Sequence, residues 1–125
     1  MIVPPLLMIV AVIHLLPVVG AGGRAPLARL YGTAIDEPSL LLLMRHRAVL
    51  FGLLGSFLLA AAFDPHLHLA GLAVGLASVG SFLLLAWRVG GLTDEVRRVW
   101  LIDLVAAVLL VAGLIVHLAG RARPP

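Results

Sequence analysis

The sequence predicts an all-α protein, a four-helix transmembrane bundle with antiparallel up-down topology. Hydrophobic residues make up 62% of the 125 residues and charged residues only 12%, which leaves too little polar surface for a soluble domain of this size. Four apolar stretches are each close to the roughly 20 residues that a helix needs to cross a bilayer. They cover about residues 2–19, 39–63, 67–87 and 99–119, and we expect them to form a single domain over residues 1–125.

The first stretch begins with Pro4 and Pro5, which the first turn of a helix tolerates because its N–H groups have no intrahelical partner. Pro17 should kink or end this helix just before Gly20 opens the first loop. The stretch has no basic segment at its start, so we expect a membrane helix rather than a signal peptide.

The first loop, residues 20–38, is the longest connection and contains RAPLARLYG. This pattern predicts a short interfacial helix with its two arginines towards water and its apolar and aromatic side chains towards the membrane: Leu27, Leu30 and Tyr31. Asp36 or Ser39 should then cap the second helix.

The other two connections are short. Asp64, Pro65 and His66 join the second and third helices, which predicts an antiparallel hairpin. The third connection, VGGLTDEVRR, begins with glycines and is polar, as is typical of a turn before a new helix.

The arginine distribution predicts the orientation. Loops one and three with their flanks carry Arg24, Arg29, Arg45, Arg47, Arg88, Arg97 and Arg98, whereas the opposite side carries Arg121 and Arg123. Basic residues favour the cytoplasmic side, so both termini of this multi-pass protein should be periplasmic, in a bacterial inner (plasma) membrane. The positive charge is scattered over helix ends, which favours this interpretation over nucleic-acid binding.

Stripes of small residues predict which charged side chains face the bundle interior. Arg45 continues at helical spacing through Ala48, Gly52, Gly55 and Ser56, and Asp103 continues through Ala106, Ala107, Leu110, Gly113 and His117. Arg47 continues through the larger Phe51, Leu54 and Leu58, which predicts a lipid-facing stripe. We therefore expect Arg45 and Asp103 to form an interior ion pair. The third helix offers a further packing stripe: Gly71, Gly75, Ser78 and Ser81.

The polar residues expected near the cytoplasmic side predict a ligand-binding site made of His14, Arg45, His46, Asp103, Tyr31 and Trp100. One interpretation is an ion pair that only fixes helix register. The other is a polar cavity that binds or transports a small polar or anionic ligand, or protons. A quinone- or haem-binding redox component is an alternative, with His14 and His46 as the candidate haem ligands. A non-catalytic accessory subunit of a larger membrane complex is another.

A second cluster is expected at the opposite side, where imidazole and carboxylate groups could bind a divalent transition metal: Asp64, His66, His68 and His117.

The chain contains no cysteine, which excludes disulfides, thiolate metal sites and cysteine nucleophiles. It also contains no Gly-rich phosphate loop, GxSxG or HExxH motif, so the sequence favours a non-enzyme and leaves only His14, Arg45 and Asp103 as a group that could catalyse a reaction. Expected partners are the lipid bilayer and a second copy or another membrane protein, with no nucleic acid.

The segment RLYGTAIDEPSLLLLMRHRAVLFGLLG, residues 29–55, resembles a group of small bacterial four-helix membrane proteins that have no settled function. The resemblance lies in Leu30-Tyr31-Gly32, Asp36 and Met44-Arg45-His46-Arg47, with Asp103 early in the last helix. Such chains are sometimes labelled phosphopantetheine adenylyltransferase. That soluble α/β enzyme needs a His-x-Gly-His element, which this sequence lacks. The resemblance implies the four-helix fold and no activity.

Overall fold

The computed structural model describes residues 2–124, which are mostly helical and contain no strand. Five α-helices follow one another, and the all-α prediction is confirmed. They are α1 (Val3–Leu15), α2 (Arg24–Tyr31), α3 (Pro38–Phe63), α4 (His68–Val89) and α5 (Asp94–Ala122), with 3-10 helices at Leu16–Gly22 and Pro65–Leu67.

Within the described part of the chain, four helical segments are long and apolar enough to cross a membrane: Val3–Gly22, Pro38–Phe63, Pro65–Val89 and Asp94–Ala122. The chain therefore has the character of a multi-pass membrane protein, as its composition predicts. The fourth segment begins about five residues before the predicted boundary, because the polar turn at its start also joins the helix. Hydrophobicity marks only the apolar part of a helix, whereas the start is set by the cap.

Proline and capping residues determine where the helices begin and end. Helix α1 ends at Leu15 and continues as a 3-10 helix through Pro17, as expected from the missing proline N–H. Thr93 caps α5 by accepting a hydrogen bond from the backbone N–H of Val96. The predicted short helix in the first loop is present as α2.

The cap of α3 differs from both predicted residues. Glu37 is the N-cap, and its carboxylate accepts hydrogen bonds from the backbone N–H groups of Ser39 and Leu40 at 2.9 and 2.7 Å. Pro38 occupies the first helical position, so these two N–H groups are the first available donors. The two backbone hydrogen bonds lower the pKa of Glu37 below its ordinary value.

The core is built around α1, which packs mainly on α3, while α4 packs mainly on α5. Leu7, Val10 and Ala11 of α1 are completely buried. The predicted packing faces of α4 and α5 are confirmed where Gly75 meets the buried Leu110: a Cβ atom on Gly75 would lie 3.2 Å from the Leu110 side chain. Small residues therefore let these helices approach closely.

Candidate ligand-binding site

A cavity of about 150 Å³ lies between α1, the following 3-10 helix, α2, α3 and α5. Its walls are mostly apolar, and four side chains with polar groups line it: His14, Tyr31, Arg47 and Asp103. Three of the four belong to the predicted ligand-binding set. The fourth, Arg47, was predicted to face lipid.

Helix α2 brings Tyr31 to this cavity. Gly32 ends α2 in the left-handed conformation, with φ 64°, which glycine adopts without a Cβ clash. The hydroxyl of Thr93 then donates a hydrogen bond to the carbonyl oxygen of Tyr31. Since Thr93 also caps α5, this bond ties the end of α2 to the start of α5. Leu27, predicted to face the membrane, is instead buried within the protein at 1% exposure.

The guanidinium of Arg47 is held by aromatic groups. Its Nη1 donates a hydrogen bond to the Tyr31 hydroxyl at 2.6 Å. The guanidinium carbon lies 5.4 Å from the centre of the Tyr31 ring and 4.5 Å from the centre of the Phe51 ring, within the range of cation–π attraction. Over residues 2–124 the one ion pair within 4.0 Å joins Arg97 to Asp94, so Arg47 makes no direct ion pair there.

The predicted pairing of Arg45 with Asp103 is wrong. Arg45 is exposed, and its Nε donates a hydrogen bond to the carbonyl oxygen of Ala21 at 2.9 Å. It does not line the cavity, whereas Arg47 does, and the charge of Arg47 acts on the half-buried Asp103 carboxylate.

Helix geometry explains the error. At roughly 100° per residue, Arg47 points within about 20° of Leu58, whereas Arg45 points about 140° away from it. Leu58 is completely buried, so the stripe predicted to face lipid is the interior face of α3. The small-residue stripe is also interior at Ala48 and Gly55, but Arg45 itself, at its polar end, is exposed. Helix α3 is apolar on all sides, so hydrophobicity could not indicate its inner face.

His14 is 2% exposed and has a hydrogen-bond partner at each ring nitrogen. Nδ1 lies 2.9 Å from the carbonyl oxygen of Val10, and Nε2 lies 2.9 Å from the hydroxyl oxygen of Ser78. A carbonyl only accepts, so Nδ1 donates to it, and in the neutral ring Nε2 accepts from Ser78. His14 thus joins α1 to α4 and offers a ring edge, rather than a free nitrogen, to the cavity.

Two further members of the predicted set lie outside the cavity. His46 is exposed on α3, so it does not oppose His14 and the predicted pair of haem ligands is not assembled. Trp100 lies in a separate depression between the end of α4 and the start of α5, together with Trp87 and Arg97. The shared depth in the membrane that was predicted for these residues did not bring them to one site.

The predicted metal cluster is likewise not assembled. Within residues 2–124, no group of three or more His, Asp or Glu side chains is arranged to hold a metal ion. Asp64 instead accepts a hydrogen bond from the backbone N–H of His66, whose side chain is exposed. His68 and His117 do approach each other, with ring centres 6.3 Å apart.

Comparisons with known proteins give no identification: no family model, no curated protein and no solved structure matches the chain.

Proposed function

We propose that the protein binds or transports a small ligand that has a ring-sized apolar body and an anionic or polar head, held in the cavity at Arg47 and Asp103. The observation that carries this proposal is that these two oppositely charged side chains line one apolar cavity without a direct ion pair. The guanidinium could donate to an acceptor head of the ligand, and the carboxylate could accept from a separate hydroxyl or amine of a ligand that carries one.

The cost of placing charge in a membrane supports a functional role. Ionisable residues inside membrane helices are expensive, and they commonly mark ligand or ion pathways when they face a protein interior. Arg47 has five N–H donors in a planar fork, and its hydrogen bond to Tyr31 uses one nitrogen. The remaining donors suit a carboxylate or another planar acceptor.

The volume limits the size of the ligand. A cavity of about 150 Å³ lined by apolar side chains is large enough to bind a benzene-sized ring. Here the Phe51 and Tyr31 rings lie beside the guanidinium, so an aromatic or aliphatic ring would be surrounded by apolar groups while its head reaches Arg47. A quinone shares this chemistry and remains the second candidate, because its carbonyl oxygens would accept from the same donors.

The arrangement in the membrane belongs to the same proposal. We propose an antiparallel up-down bundle in a bacterial inner membrane, with both termini periplasmic and the cavity near the cytoplasmic side, as the arginine asymmetry favours. A second copy would complete a transport pathway, because four helices enclose little space. Activity of a cytoplasm-specific reporter fused after the C-terminus would contradict this orientation.

Benzoate is a suitable probe because it combines one ring with a carboxylate. We expect benzoate to raise the midpoint of thermal unfolding of the detergent-solubilised protein saturably, since a ligand that binds only the folded state stabilises it. Benzamide, which has the same shape and no charge, should give a smaller shift. Arg47→Gln should remove the difference between the two compounds.

The matched control is Arg88→Gln, because Arg88 is an exposed arginine outside the cavity. This variant should keep the wild-type response to benzoate. Equal shifts for benzoate and benzamide, unchanged in Arg47→Gln, would contradict recognition of the head by Arg47. No response to either compound would contradict the proposed ligand size and chemistry.

A further inference from the structure

The second histidine pair lies outside the cavity just described. His68 is the first residue of α4 and is 5% exposed, and its Nε2 is buried without a hydrogen-bond partner among residues 2–124. Buried polar atoms in proteins are nearly always satisfied, so an orphaned imidazole nitrogen indicates a missing ligand, ion or water.

Close packing of α4 on α5 brings the two rings together. A Cβ atom on Gly113 would lie 3.0 Å from Leu72 Cδ2, so the helices approach tightly there. His117 lies one turn beyond Gly113, and His68 lies one turn before Leu72. The absence of a side chain at Gly113 therefore lets the two imidazoles approach each other, with an angle of 72° between the ring planes.

The separation of the two rings leaves room for one metal ion between two imidazole nitrogens. An imidazole nitrogen lies about 1.2 Å from its ring centre and a metal–imidazole bond is about 2.0 Å, which places the two ring centres at most about 6.4 Å apart. The observed separation is 6.3 Å. In linear coordination each imidazole ring can rotate about its metal–nitrogen bond. An angle of 72° between the ring planes is therefore compatible with such a site.

The ligand count selects the kind of ion. Zn²⁺ requires about four ligands, and no third His, Asp or Glu joins the pair within the described chain. A monovalent d¹⁰ ion accepts two nitrogen ligands, and a single positive charge costs less to bury than a double one. We propose that His68 and His117 form a two-coordinate site for Cu(I).

The test is titration of the purified full-length protein with Cu(I), without oxygen, in competition with the chelator bicinchoninate. Wild-type protein should retain one equivalent, and X-ray absorption should show a two-coordinate Cu(I) with nitrogen neighbours. His117→Gln and His68→Gln should each fail to compete with the chelator. His66→Gln is the matched control, because this neighbouring histidine is exposed and should retain Cu(I) as the wild type does.

Several outcomes would overturn the proposal. If the wild type retains no Cu(I), a water molecule is the partner of His68 instead. Equal retention of Cu(I) by the wild type and the His68→Gln/His117→Gln double variant would also contradict the site, as would loss of Cu(I) binding only in His66→Gln. His117 is only half-buried, so His117→Gln should fold even if His68→Gln does not. Circular dichroism checks the helical content of each variant.

Discussion

Replacing Gly55 with leucine is expected to destabilise the protein by about 3 kcal/mol, because the change forces α1 and α3 apart. A Cβ atom at position 55 would lie 2.7 Å from Leu15 Cγ and 3.2 Å from the backbone carbonyl oxygen of Ala11. The leucine side chain can move, but the backbone carbonyl moves only with α1. The free energy of unfolding in mixed micelles, followed by circular dichroism, measures the effect.

Gly80 provides the matched control for this prediction. It lies inside α4, and a Cβ atom there would meet nothing within 4 Å. Gly80→Leu should therefore be neutral or stabilising, since leucine is the better helix former. If Gly55→Leu and Gly80→Leu unfold alike, the close contact between α1 and α3 is wrong.

Replacing Arg47 with leucine is expected to cost about 2–4 kcal/mol of stability, from the lost hydrogen bond to Tyr31 and the lost cation–π contacts with two rings. The variant also leaves Asp103 in an apolar cavity without its nearby cation. Arg47→Leu/Asp103→Leu should therefore cost less than the sum of the two single changes. The coupling free energy between the two side chains follows from the free energies of unfolding of the two single variants and the double variant, measured under the same conditions.

Arg45→Leu should be mild by comparison, because this exposed side chain makes one hydrogen bond, to the Ala21 carbonyl. A larger loss for Arg45→Leu than for Arg47→Leu would contradict the orientation of α3. Strictly additive losses for Arg47→Leu and Asp103→Leu would show that the two side chains act separately.

Much of the fold could be predicted because bilayer length and proline chemistry act locally. The four apolar segments, the end of α1 near Pro17 and the short helix in the first loop follow from these rules. The cap at Glu37 was missed because Asp36 is the more usual capping residue, and only the backbone geometry shows which carboxylate reaches the N–H groups of the first turn.

The site was predicted in part. His14, Tyr31 and Asp103 line the cavity, and the interior stripe that begins at Asp103 correctly indicated the inner face of α5. The inner face of α3 could not be found from residue size, because the interface uses both small Ala48 and large Leu58. Large apolar side chains can pack between helices as well as face lipid, so a stripe of large residues does not indicate which side of a helix faces the lipid.

Cross-linking can test the central claim that Arg47, and not Arg45, shares the cavity with Asp103. The chain has no native cysteine, so paired cysteines introduced at chosen positions report only on those positions. A short bifunctional methanethiosulfonate should bridge Arg47→Cys/Asp103→Cys efficiently and should not bridge Arg45→Cys/Asp103→Cys. Efficient bridging of the second pair, with none in the first, would contradict the account.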